Sequence, residues 1–263
     1  MSTPITTAST ALPVVFDAPP QPTQGHGLYA AATLFDNAGP TRELLSGLEI
    51  RPYNCDDGVG TYSTELCDDD PAVKAAGERG EPLTFMPLVV WAASECRPDQ
   101  TEAEIQARAT HTRSLHEPLL VESAFAARLL TDAGAPIVVP DLATAIGTLE
   151  EFLGEHGYTG YIHASRRWAS AAGNLNAASG SGLMRTNLGN TWVFGGGYAD
   201  ALGATLVATG ALFAWRSPVF EQVVTVGSSP TPALNNSVYA LSERTVTVGY
   251  ECAVMAVTID PTP

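Results

Sequence analysis

Between Asp141 and Tyr198 the sequence passes through helix, strand, helix and hairpin signals and closes on Gly195-Gly196-Gly197. This stretch lies between a long helical pattern and an unusually long C-terminal strand pattern, an order that calls for an α+β architecture. The helix opens at Thr101-x-x-Glu104, a capping-box signature in which each side chain satisfies a free amide of the first turn. Ile105, Thr112, Leu115, Leu119, Phe125 and Leu129 keep helical spacing, whereas Glu102, Gln106, Arg108, Arg113 and Arg128 mark a wet face. Pro118 lacks an amide and crowds the preceding turn, so a kink near His116 is expected; Gly134 and Pro136 supply the stop after Ala133.

Asp141 is placed to cap a second helix whose Leu142, Ile146, Leu149 and Leu153 form an apolar stripe, with Gly157 as its end. Gly160 to Ala164 reads as a buried strand, and Ser165 as the cap of a third helix running to about Gly173. Arg166 and Arg167 then fall in a first turn, where the helix dipole disfavours cations, so an acidic partner is expected, an intersubunit carboxylate being one candidate. Asn174 to Gly182 is small, polar and loop-like; Leu183 to Leu188 and Thr191 to Phe194 read as a hairpin about Gly189-Asn190. Gly195 to Gly197 allow a bend or a close approach to a neighbour. Glu243 to Ile259 reads as one strand, with Val246, Val248 and Tyr250 on one face, Thr245, Thr247 and Glu251 on the other, and both faces apolar beyond Cys252.

The flanks are less regular. Met1 to about Gly39 is an arm punctuated by Pro19, Pro20 and Pro22, with no basic residue ahead of an apolar core and so no secretory signal. Glu49 to Tyr53, Gly60 to Leu66 and Leu83 to Ala93 are strand-like, and the acidic, glycine-bounded run Cys67 to Glu81 between them reads as a solvated projection. The most apolar window, Ala201 to Trp215, is too short for the roughly 20 residues of a membrane span, which makes the cytosol the default compartment. With 13 basic against 28 acidic side chains the formal charge is −15, which disfavours sequence-independent binding to nucleic-acid backbones. Cys55, Cys67, Cys96 and Cys252 contain no Cys-x-x-Cys pair; reduced, packed thiols are expected, with a Cys55–Cys67 bond as the alternative.

Residues that could carry chemistry fail on spacing. His111 and His116 with Glu117 are five apart rather than three or four, which separates the imidazoles around a helix. His163, Ser165 and Asp200 could form a hydrolytic triad, but no Gly-x-Ser-x-Gly elbow is present. Gly195 to Gly197 lead to Asp200 where a dinucleotide loop needs glycine, and Lys74 is followed by alanine, so neither nucleotide loop is present. Glu150 and Glu151 diverge on a helix surface, and Trp91, Trp168, Trp192 and Trp215 are better suited to core or subunit contacts than to a sugar platform. No catalytic, cofactor-binding or metal-binding residue is assigned.

The succession of parts resembles the Hong Kong 97-type capsid fold of tailed-phage major capsid proteins, which encapsulin nanocompartments share. The resemblance implies an N-terminal arm over 1–47, a projecting two-stranded loop over 48–98 and the spine helix of a peripheral domain over 99–140. An α/β axial domain over 141–238 comes next, then a C-terminal strand over 239–263 returning to the peripheral-domain sheet. The segment ending Gly-Tyr-Ile-His-Ala-Ser-Arg-Arg-Trp is similar to the helix, strand and helix of the axial domain. The implied function is structural: a non-enzymatic major capsid subunit that self-assembles into pentamers and hexamers of an icosahedral head around double-stranded DNA. It would be assembled in the host cytoplasm and found in the virion, with scaffold, portal and cement proteins as further partners and no cofactor. Acidic side chains facing the lumen would keep DNA from sticking. Arg166, Arg167, Trp168, Gly195, Gly196, Gly197 and Tyr198 are the candidate subunit contacts. Some members cross-link a lysine to an asparagine; Lys74 is the only lysine here, no partner is assignable, and no cross-link is expected. An encapsulin shell is the nearest alternative, though its expected N-terminal helix is at odds with the proline-marked arm, and a cytosolic α/β hydrolase is the alternative from another class.

Overall fold

The computed structural model describes residues 18–36, 42–61, 74–96, 100–173, 182–226 and 237–260. In chain order the elements are α1 (Leu28–Ala31), β1 (Thr33–Asp36), α2 (Arg42–Leu45), β2 (Leu48–Ile50), β3 (Leu83–Phe85) and β4 (Leu88–Glu95). After them come the long helix α3 (Glu102–Ala133), β5 (Ile137–Val139), α4 (Leu142–Glu155) and β6 (Tyr161–Ser165). A 3₁₀ turn (Arg166–Trp168) then leads to α5 (Ala169–Gly173), β7 (Thr191–Gly195), α6 (Tyr198–Ala201), β8 (Thr205–Thr209), β9 (Leu212–Arg216), β10 (Phe220–Val226), β11 (Ser237–Tyr250) and β12 (Val254–Ile259).

Two five-stranded sheets share α3. In the first, β11 pairs with β4 along one edge and with β10 and then β9 along the other, and β1 adds parallel to β9. The second sheet has the order β5-β12-β8-β6-β7 and carries α4 on one face. Its strands divide their side chains by the two-residue period. Ile162, Ala164, Trp192, Phe194, Leu206, Ala208 and Val257 pack with Leu142, Ile146, Leu149 and Leu153 of α4. Val193, Val207 and Ala256 point the other way, into the core that Phe125, Ala126 and Leu129 of α3 share with Val246, Val248 and Tyr250 of the first sheet.

The capping box forms as the sequence requires: Thr101 Oγ1 accepts from the Glu104 amide at 3.3 Å, and Glu104 accepts from the Thr101 amide at 2.7 Å. Asp141 likewise accepts from the Thr144 amide at 2.8 Å. The helix continues through Pro118. Its buried ladder, however, runs through Ile105, Ala109, Arg113, Glu117, Val121, Phe125 and Leu129, so Arg113 belongs to the buried face and not the wet one.

Three other expectations are corrected. Glu243 to Ile259 is not one strand: the chain turns at Glu251–Ala253, with Cys252 in the left-handed region (φ 66°), and passes from the first sheet into the second. Ser165 ends β6 and makes no side-chain cap, and the chain continues into the 3₁₀ turn and the short α5 rather than a longer helix. Leu183 to Leu188 forms only a narrow turn against β7, through the Arg185–Thr191 bridge. Of the three strand-like pieces at 49–93, β2 and β3 pair with each other and β4 joins the first sheet, while most of Gly60 to Leu66 lies outside the described residues.

Candidate assembly surfaces

One face of the first sheet is covered by α3 and the opposite face is open to solvent. On β4, Val90 and Ala92 point inward and are buried, whereas Val89 and Trp91 are 52% and 62% exposed. Register places Trp91 opposite Glu243 and Glu243 opposite Phe220, itself 51% exposed, so a row of large side chains crosses three strands. Val224 and Tyr239, paired across β10 and β11, extend the patch. Glu243 separates Trp91 from Phe220, so the face gathers several large exposed side chains without forming an unbroken apolar row. Of the other tryptophans, Trp192 is buried and stacks on Phe194 at 4.9 Å, Trp168 is half-buried with its Nε1 donating to the Gly203 carbonyl at 3.1 Å, and Trp215 is half-buried and stacks at 4.9 Å on the exposed Phe35.

The foot of the projecting loop is a second surface. The β2–β3 ribbon is held to α3 by Arg128, which donates to the Thr84 carbonyl at 2.6 Å and lies 4.7 Å from the centre of the Phe85 ring. Beyond β2 the chain runs onto the β11–β12 corner. The buried Glu251 carboxylate accepts from the amides of Tyr53 and Asn54 and from Asn54 Nδ2, the last two at 2.9 Å. Beside this clamp Cys55 is bonded to Cys252, a residue 197 positions away. Neither the expected reduced state of this pair nor the Cys55–Cys67 bond is found; Cys67 lies outside the described residues. Cys96 Sγ donates to the Gln100 carbonyl at 3.6 Å.

The glycine run turns out to be a junction inside the subunit. Glu122 of α3 is buried and accepts from the Leu28 amide at 3.0 Å and the Gly197 amide at 2.9 Å, tying the arm and the β7–α6 turn to the helix. Burial pushes its carboxyl above the ordinary range, against the lowering effects of those amides and of Arg166. A Cβ at Gly195 would come within 2.8 Å of the Glu122 carboxyl carbon, and one at Gly197 would collide with the Leu119 carbonyl. These positions are glycine because the backbone runs against a helix. Arg166 donates to the carbonyls of Phe194 (3.1 Å) and Gly25 (2.5 Å), and its charge faces the Glu122 carboxylate. Arg167 is exposed and lies 5.0 Å from the Trp168 ring, and Tyr198 is fully buried.

Tyr198 completes a neutral network that removes His163 from catalysis. Thr209 Oγ1 donates to the Gly210 carbonyl at 3.3 Å and is therefore free to accept from His163 Nε2 at 3.0 Å; Nδ1 accepts the Tyr198 hydroxyl at 3.0 Å. Both ring nitrogens are used. Burial lowers the imidazole pKa to about 3, which keeps it neutral. Asp200 is exposed and is not among these hydrogen-bonding partners, so the triad does not form.

Sequence reasoning missed a buried charge cluster beneath the arm. Glu117 pairs with Arg113 and with Arg216 and Arg244 at 3.7 and 3.6 Å, and accepts the Tyr29 hydroxyl at 3.1 Å. Asp36 pairs with Arg216 at 2.5 Å and Arg244 at 3.7 Å, joining β1, β9 and β11 to the helix. The available signal was the i, i+4 spacing of Arg113 and Glu117 midway between Ala109 and Val121 on the four-residue ladder.

No protein-family model matches the chain, and no curated protein does. Solved structures do. A chain of Microbacterium phage Oxtober96 superposes with a TM-score of 0.59 at 11% identity over 96% of both chains. One of Mycobacterium phage Adephagia gives 0.58 at 13% over 100% of both. The capsid of an empty GTA particle gives 0.53 at 14%, covering 93% of this chain and 99% of that one. The chain has the phage-capsid fold.

Proposed function

We propose that this chain is the structural subunit of a phage-type capsid and not an enzyme. The observation that carries this reading is coverage: the superpositions extend over nearly the whole of both chains at TM-scores above one half. The exposed Trp91, Phe220, Val224 and Tyr239 on one sheet face support it, because large apolar side chains gathered on one face are retained where a partner covers them. Copies of the chain associate as pentamers and hexamers of a shell that encloses DNA without reading its sequence. Assembly takes place in the host cytoplasm, with scaffold, portal and cement proteins as further partners.

In this reading residues 99–140, with the sheet around β11, form the peripheral part, and residues 141–238 supply the axial part. The Gly195–Gly197 junction acts through the shape it gives the β7–α6 turn, and the exposed Arg167 beside Trp168 is the candidate contact with the next copy. Expression of the full chain, then negative-stain microscopy and size-exclusion chromatography, tests the proposal. Closed shells are expected; elution as a small stable species overturns it.

A further inference from the structure

The Cys55–Cys252 pair joins the foot of the projecting loop to the corner where the chain changes sheets. Its surroundings hold the two cysteines together without the bond. Glu251 binds the Tyr53 and Asn54 amides through its carboxylate, and its own amide donates to the Ala211 carbonyl at 2.9 Å. On the other side Gly249 lies so close to Ile50 and Phe85 that a Cβ there would come within 2.7 Å of both, which sets the β2–β3 ribbon against β11. Cys55 and Cys252 are each half-buried, and a cavity of about 210 Å³ lined by Asn54, Tyr158, Thr159, Ala211, Glu251 and Cys252 adjoins them. The pair is therefore pre-positioned by polar contacts and within reach of a small thiol or disulfide.

We propose that this pair is a redox latch on the loop foot, open as dithiol when the subunit folds in a reducing cytoplasm and closed once the particle meets an oxidising medium. The timing rests on the capsid reading. Closure proceeds by exchange with a low-molecular-weight disulfide. One cysteine thiolate attacks it, forming a mixed disulfide and releasing one small thiolate. The second cysteine then displaces the other, so two protein thiols are oxidised as one small disulfide is reduced to two thiols. Cytosolic thiols are kept reduced, which holds the latch open until release. Closing it adds a covalent tie at Cys55 to the one that Asp57 and Glu78 make by hydrogen bonds between the two arms of the excursion. A cross-link spanning 197 positions also restricts the unfolded chain strongly.

The test uses the full chain expressed in a bacterial cytoplasm. Cells lysed directly into N-ethylmaleimide should yield peptides with both thiols alkylated, and material then held in glutathione disulfide should yield the linked Cys55–Cys252 peptide. The oxidised chain should melt about 10 °C above the same sample in reductant. Cys55→Ser should melt at the reduced value in both media, while Cys96→Ser should keep the full difference. A linked peptide in the alkylated lysate, thiols that stay free in glutathione disulfide, or equal melting temperatures would each overturn the latch. Microscopy of the same samples separates the two readings: absence of shells with a redox-dependent melt sinks the capsid reading and leaves the latch standing.

Discussion

The Glu122 junction and the open face of the first sheet both border α3 and its sheets, and they are finished to different degrees. At the junction Glu122 is satisfied by two backbone amides, and three consecutive glycines let the β7–α6 turn lie on α3. On the sheet face Trp91 and Phe220 stand exposed across three strands. The first region is complete within one chain, and the second is complete only when something covers it. Substitutions at the first should therefore be read out as subunit stability, and substitutions at the second as assembly.

The largest effect is expected from Glu117→Ala, which leaves Arg113, Arg216 and Arg244 without their shared carboxylate in a buried site. Breaking such a cluster costs about 4 kcal/mol, a fall in melting temperature on the order of 10 °C by circular dichroism. Gly197→Ala comes next. Its methyl group meets the Leu119 carbonyl, a backbone atom that cannot step aside, and about 3 kcal/mol should be lost in urea unfolding.

His163 sets a pH dependence of intermediate size. Its folded pKa of about 3 lies below its ordinary value, so the folded protein keeps the ring neutral while the unfolded chain binds a proton below about pH 6.5. Its contribution is therefore fully present above that pH and is lost as pH falls toward 3. Between pH 7.5 and 5.0 the wild type should lose about 2 kcal/mol more than His163→Asn; equal losses would show that the ring is not held neutral. The smallest effect on stability belongs to Trp91→Ser, within about 0.5 kcal/mol by urea unfolding, because the side chain faces solvent. The same variant should fail to form shells in negative stain. If it assembles normally, the sheet face is not a contact and the contrast between the two regions collapses.

Much of the fold could be read locally. The capping box at Thr101, the Asp141 cap and the α4 stripe appear where the sequence puts them, because each depends on residues within a few positions of one another. The helix's buried face could not be read, since Arg113 and Glu117 look like wet-face charges until Arg216 and Arg244, about a hundred residues later, come beneath them. Among the site residues, Arg166 was expected to need an acid because it seemed to open a helix; it opens the 3₁₀ turn after β6, donates to the Phe194 and Gly25 carbonyls and has its acidic neighbour in Glu122 of α3, within the same chain.

By itself the sequence determined the two longer helices with their caps and the buried strands β6 and β7, since periodicity and caps are short-range properties of the chain. The shell-type fold followed from the resemblance of that order of parts to the Hong Kong 97-type fold, while the short helices α1, α2 and α6 and the strands β1, β5, β8, β9 and β10 carried no local signal that was read. Only the tertiary structure decided where the last strand breaks, which cysteines meet and which charges are buried. No glycine or proline marks the corner at Glu251–Ala253; Cys252 makes it with a left-handed backbone, while Glu251 grips Tyr53 and Asn54 from the far end of the sequence. Such contacts join residues nearly two hundred positions apart, and no local pattern encodes a pairing that exists only once both sheets have closed on α3.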